Sequence, residues 1–129
     1  MYQILIVLIV LLLLHHLVDN AIKFNNNQKP VIHIQCTQVA KETGTGVQEY
    51  YKLSVTDNGI GFNEEDKERM FQMFEKLHDK SFKGSGMGLA IARKIMEVHE
   101  GFITAENHEA GGSTFTCYFL IASSKVLAE

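Results

Sequence analysis

The spacing of apolar residues changes several times along the chain, and each change marks an element. Ile4 to Leu14 is an unbroken aliphatic run, read as a buried strand over about Gln3 to Ile9 that passes straight into a helix. From about Val10 to Asn25 the period is helical: Leu13, Leu17, Ala21 and Phe24 form one stripe, with Leu14, Val18 and Ile22 beside it. Gln28-Lys29-Pro30 breaks that helix. Val31 to Val39 then alternates, Val31, His33 and Gln35 against Ile32, Ile34 and Cys36, the pattern of a half-buried strand. Lys41 to Gln48 is polar with Gly44 and Gly46, a hairpin loop, and Glu49 to Thr56 is the paired strand.

Asn63-Glu64-Glu65-Asp66 has the acidic first turn of a helix, whose apolar side carries Met70, Phe71 and Phe74. Leu77 to Lys83 has no period and reads as a short lid or an ordinary surface loop. Leu89, Ile91, Ala92, Ile95, Met96 and His99 return to helical spacing, with Gly101 as the expected C-cap. Phe102 to Ala105 is a strand, Glu109 to Gly112 a turn, and Ser113 to Ile121 the last strand. This order predicts a single α/β (α+β) two-layer sandwich over residues 1–129: a mixed, mostly antiparallel sheet covered on one face by about three helices. No repeated βαβ crossover supports a Rossmann fold.

Composition narrows the picture only a little. With 129 residues, 46% hydrophobic and 21% charged, the chain is one globular domain's worth. A net charge of -3 gives no nucleic-acid signal. The apolar run from Ile4 to Leu14 falls short of the ~20 residues that span a bilayer, so no membrane contact is expected of this domain. No Lys or Arg precedes it, against a signal peptide. Cys36 and Cys117 lack metal-type spacing and are expected as buried, reduced thiols.

Candidate chemistry gathers at two glycine-rich stretches. Asp57-Asn58-Gly59-Ile60-Gly61-Phe62 follows a strand, so its carboxylate can accept a base N–H while the glycines allow close backbone approach. Gly84-Ser85-Gly86-Met87-Gly88-Leu89 opens a helix, where loop amides and the helix N-terminus attract an anion. On the first helix His16, Asn20 and Lys23 lie at i, i+4 and i+7 and converge, and His15 and Asp19 form a second pair. Together these make a candidate nucleotide site.

In this order the motifs resemble those of the ATP-binding catalytic domain of sensor histidine kinases, in the superfamily shared with DNA gyrase, heat-shock chaperone ATPases and mismatch-repair proteins. The resemblance covers about residues 11 to 121. His16-Leu17-Val18-Asp19-Asn20-Ala21-Ile22-Lys23-Phe24 is similar to the N box, and Asp57 to Phe62 to the first glycine box. Phe71-Gln72-Met73-Phe74 resembles the F box, Gly84 to Leu89 the second glycine box, and Gly111-Gly112-Ser113-Thr114-Phe115 the opening of the last strand.

The resemblance implies the Bergerat-type ATP-binding fold and a set of roles. Asp57 would accept from the adenine amine, with Gly59 as the turn glycine and Gly61 giving the base room. Asn20 would be a Mg²⁺ ligand and Lys23 would reach the phosphates, the two acting as the catalytic pair. Phe24 would pack by the adenine, and Thr114 would sit near the base side. Gly84, Ser85, Gly86, Met87, Gly88 and Leu89 would wrap the triphosphate, with His16, Phe74 and Lys76 completing the nucleotide site.

Two positions depart from the family pattern. His16 stands where histidine kinases carry a first Asn, and Lys76 where they often carry Arg, a point charge in place of a bidentate fork. Hydrolytic members have a Glu at the position of His16, so its absence argues against a free-standing ATPase. No His-Glu-Leu-Arg-Thr-like acceptor motif occurs, and the chain is therefore not expected to autophosphorylate alone. The implied partners are ATP, a histidine-containing dimerisation hairpin and a response regulator. The implied setting is the cytoplasm, either free or as the cytosolic part of a membrane-bound sensor, with the chain an N-terminally truncated part of a longer kinase. The alternative is a standalone regulatory module that binds ATP and acts through a protein partner.

Overall fold

The computed structural model describes residues 2–23, 25, 29–72 and 88–123. Helix α1 runs Tyr2–Lys23, hairpin strands β1 and β2 run Ile32–Thr43 and Gly46–Asp57, and a 3-10 turn at Glu64–Asp66 leads into α2, Lys67–Met70. Helix α3 is Gly88–Val98, followed by β3, Phe102–Asn107, and β4, Ser113–Ser123. The strands form one sheet of order β1-β2-β4-β3, and every described pair is antiparallel. The expected two-layer sandwich is therefore present.

The stretch expected as a first strand, Gln3 to Ile9, is instead the opening of α1. An unbroken aliphatic run carries no period to separate strand from helix. No Gly or Pro interrupts Tyr2 to Lys23, so the helix that is plainly periodic after Val10 extends backwards at little further cost. The parallel component of a mixed sheet is accordingly absent among the described residues. Val7, Leu8, Leu11 and Leu12 are left 46–57% exposed along one flank of this helix. A 520 Å³ groove between α1 and the sheet is lined by Ile9, Val10, Cys36, Tyr51, Leu53 and Phe119 among others. Among the described residues no helix is long and apolar enough to cross a membrane.

The core forms where the periods meet. Leu13 and Leu17 of α1 and Leu89, Ala92 and Met96 of α3 pack on Leu53 and Val55 of β2 and Phe115 and Cys117 of β4. Met70 and Phe71 close one side. Fully burying side chains of this size is worth roughly 1.5–3 kcal/mol each. Burial pushes the Cys117 thiol up to about 12. Cys36, expected to be buried, is exposed, because β1 is an edge strand beyond the helices' cover.

The hairpin is tighter than its polar composition suggested. Thr43 pairs with Gly46, leaving a two-residue turn at Gly44-Thr45. At the end of α3 the left-handed residue is Glu100, at φ 58°, rather than Gly101. Gly101 N–H donates to Met96 O at 2.8 Å and Glu100 N–H to Glu97 O at 3.2 Å, a Schellman motif. Gly101 is required for another reason: a Cβ there would run into the Tyr118 carbonyl.

Candidate functional site

Strand pairing assembles one polar row at the end of the sheet's helix-facing side. Asp57 of β2 is in register with Ser113 of β4, and Ser113 with Asn107 of β3. Asp57 is only 9% exposed. Its Oδ1 accepts from Gly59 N–H at 2.8 Å and its Oδ2 from Ser113 Oγ at 3.0 Å. A carboxylate has about four acceptor sites, so the side chain is held by two protein donors and can still take an N–H from a ligand.

The loop after Asp57 is fixed from both sides. Asn58 Oδ1 accepts from Val31 N–H at 3.0 Å and from Asn25 Nδ2 at 2.9 Å, while its Nδ2 donates to Lys29 O at 3.1 Å. These bonds tie the segment after α1 to the site. On the other side Asn107 Oδ1 accepts from Phe62 N–H at 2.9 Å, and its Nδ2 donates to Phe62 O and to Glu64 Oε2. Gly61 has φ 77°, and a Cβ there would lie 2.8 Å from Asn107 Oδ1. Gly112, at φ 92°, lies so close to β2 that a Cβ would overlap the Asp57 carbonyl oxygen.

The second cluster lies where α1 meets α3. Gly88 begins α3, and a Cβ there would lie 3.5 Å from His16 Nδ1. The first amides of α3 point toward its N-terminal end, an arrangement that attracts anions and tolerates a neutral imidazole better than a charged one. Burial, with His15 beside it, holds His16 below the ordinary imidazole value, against the opposing pull of Asp19. Asn20 and Lys23 continue the same face of α1. Lys23 Nζ pairs with Asp19 at 3.1 Å, so Asp19 bonds its i+4 neighbour. Such an exposed pair is worth little and gives way readily to a better anion. Among the described residues no three His, Cys, Asp or Glu side chains cluster as a metal site. The half-buried Asn20 amide oxygen would suit a hard cation as a single protein ligand.

Thr114, expected near the base, is on the opposite face. Its Oγ1 bonds Thr56 Oγ1 at 2.9 Å and His108 Nε2 at 2.6 Å. Strand side chains alternate, so the residue sharing a face with Asp57 is Ser113. Ser113, Asn58 and Asn107 are the site-forming residues that the sequence reading gave no role. Register alone would have found Ser113, since the hairpin and strand ends were already placed. Phe24, Phe74, Lys76, Gly84, Ser85, Gly86 and Met87, with the expected lid over Leu77 to Lys83, lie outside the described residues. Leu89 is buried in the core, one residue into α3.

Comparison with known proteins places this geometry. The chain is 40% identical over 110 residues to Cyanobacterial phytochrome A of Nostoc sp., a match covering 84% of the chain and 13% of that protein. It is 35% identical over 105 residues to Sensor histidine kinase AruS of Pseudomonas aeruginosa, covering 79% of the chain and 10% of that kinase. The chain thus spans about a tenth of these relatives' length. Among solved structures, the catalytic domain of histidine kinase ThkA matches with a TM-score of 0.60 at 29% identity, over 84% of this chain and 62% of that one. The mycobacterial sensor histidine kinase MprB shares the fold, with a TM-score of 0.67 at 20% identity over 84% of this chain and 68% of that one. The family model of histidine kinase-, DNA gyrase B- and HSP90-like ATPases matches residues 8–123. That span takes in α1 from Leu8 onward and the whole Asp57–Ser113–Asn107 row, and the chain belongs to this ATPase family, on the side of its histidine kinases.

Proposed function

We propose that the chain is the ATP-binding catalytic domain of a two-component sensor histidine kinase, presenting the γ-phosphate of ATP to a histidine on a separate dimerisation hairpin. The observation that carries the reading is Asp57: a carboxylate buried at a strand end, held by two protein donors, with acceptor sites left beside a glycine loop. That is a seat for an exocyclic amine. In this reading Asn20 holds Mg²⁺, and Lys23 exchanges Asp19 for phosphate. The glycines of the second stretch, Gly84, Gly86 and Gly88, would bring backbone amides to the triphosphate, while the Leu89 side chain anchors that end of the stretch in the core. The magnesium ion, when bound, neutralises phosphate charge. The protein's own part is positioning and electrostatics, since phosphoryl transfer asks little covalent chemistry of it.

A second reading, a standalone nucleotide-dependent binding module, is favoured by His16. Imidazole is no equal of an amide oxygen for a hard cation, and here it is packed against the start of α3. One experiment separates the two. The chain is incubated with γ-labelled ATP and Mg²⁺, with and without a histidine kinase hairpin. Acid-labile phosphohistidine on the hairpin alone supports the kinase reading. Binding of ATP without transfer supports the module, and label on His15 or His16 in the chain alone would overturn both. The cytoplasmic setting and a response-regulator partner follow from the kinase reading.

A further inference from the structure

Asn107 has no role in the assignments above, yet its side chain meets the glycine loop at both polar groups of one residue. We propose that Asn107 is a positioning residue for the base-binding loop, setting Gly61 and Phe62 in their bound geometry before nucleotide arrives. The proposal rests on the nucleotide reading just given.

The geometry is that of a side chain imitating a strand. Asn107 ends β3, in register with Ser113. Its Oδ1 accepts from Phe62 N–H at 2.9 Å and its Nδ2 donates to Phe62 O, the two bonds a neighbouring strand residue would supply. The loop is thus bonded to the sheet without belonging to it. A further bond from Nδ2 to Glu64 Oε2 at 3.0 Å orients the amide and settles which end is oxygen. Gly61 makes room for it, because a Cβ there would press on Oδ1.

Phe62 does not need these bonds to stay packed. Its ring already lies 6.0 Å from that of Phe115, with Lys67 Nζ 5.9 Å above it. What Asn107 adds is a fixed backbone at Gly61 and Phe62. A loop ordered in advance spares the ligand the cost of ordering it. The row then divides its work: Asp57 meets the base, Ser113 holds Asp57, and Asn107 holds the loop beside it.

The test uses the full chain and three probes: adenosine, ADP and ATP. In the nucleotide-free protein, Asn107→Ala should speed hydrogen exchange at the Phe62 amide. It should weaken all three probes by the same factor, about tenfold, with the thermal midpoint little changed. Asn107→Asp keeps the acceptor for Phe62 N–H but turns a second acceptor toward Phe62 O and the Glu64 carboxylate, so it should weaken the probes at least as much as alanine does, and it carries the test should the alanine variant not fold. Unchanged affinity in the variants, a loss confined to the phosphate-bearing probes, or a loss with Phe62 exchange unaltered would each overturn the positioning role. Failure of the wild-type chain to bind any probe would instead remove the nucleotide reading, and this inference with it.

Discussion

Ser113 Oγ donates a 3.0 Å hydrogen bond to Asp57 Oδ2, and the two residues are register partners across β2 and β4. The strand pairing therefore fixes both ends of the bond, and Asp57 keeps its aim without a ligand. Ser113→Ala removes one of the two donors holding the carboxylate. Hydrogen bonds to charged groups are worth roughly 1.5–3 kcal/mol, but water can replace part of this one. The expected outcome is a loss of ATP affinity of about three- to tenfold, recovered in Ser113→Thr. Calorimetric titration of the three proteins checks it; equal affinities would mean that Asp57 needs no orienting partner.

Gly112 makes this pairing possible. At φ 92°, with its missing Cβ directed at the Asp57 carbonyl, the position admits no side chain. Gly112→Ala should cost about 2 kcal/mol or more and should remove nucleotide binding, because β4 must move away from Asp57. Urea denaturation measures the first effect. A variant as stable as the parent would show that the turn before β4 can shift freely.

Much of this organisation was legible in the sequence, and each failure has its own physical cause. Period and punctuation located α1's second half, the hairpin, the last two strands and the Asp57 loop. The aliphatic run before Val10 was misread because it has no period at all. Thr114 was placed near the base by a resemblance that names a motif and not a face. The alternation of strand side chains decides between two adjacent hydroxyls, and only the register with Asp57 supplies it. Asn107 and Asn58 were invisible for a different reason. Asn107 accepts from the Phe62 amide 45 residues away and Asn58 from the Val31 amide 27 residues away, and backbone groups carry no residue identity.

Glu100 offers a test of the helix end apart from the site. It holds the left-handed position of the Schellman motif, φ 58°, where a side chain is strained by roughly 1–2 kcal/mol. Glycine relieves the strain and costs some unfolded-state entropy, so Glu100→Gly should stabilise the chain by about 0.5–1 kcal/mol. The thermal midpoint should rise, with ATP affinity unchanged. A lower midpoint would mean that the Glu100 side chain makes a compensating interaction.

His16 links the site to pH. Its folded value lies below the ordinary 6.5, through burial and then the nearby His15, with Asp19 pulling the other way. The unfolded chain then binds the proton more readily than the folded one. Stability from this group is full above about 6.5, falls as pH drops below that value, and levels off below the folded value. Replacing His16 by Asn should remove this part of the slope. Urea midpoints of the two proteins between about pH 8 and 5 test it: the variant should gain on the parent as pH falls. Parallel curves would leave His16 without the environment ascribed to it.

Base selectivity is the sharpest consequence of the Asp57 geometry. In the proposed role the carboxylate offers only acceptors, which suits the exocyclic amine of adenine. Guanine carries a carbonyl oxygen at that place, and two acceptors facing each other repel. Taking roughly 1.5–3 kcal/mol for a hydrogen bond to a charged group, ATP should bind about 10–150 times more tightly than GTP. Asp57→Asn keeps the shape. Its oxygen can still accept from Gly59 N–H, and its amide can donate to Ser113 Oγ, so the fold should survive. The same amide can also turn a donor toward the ligand, which weakens ATP and narrows its lead over GTP. Four dissociation constants, ATP and GTP against parent and variant, decide the matter. If GTP matches ATP in the parent, or the ratio is the same in Asp57→Asn, Asp57 does not read the base.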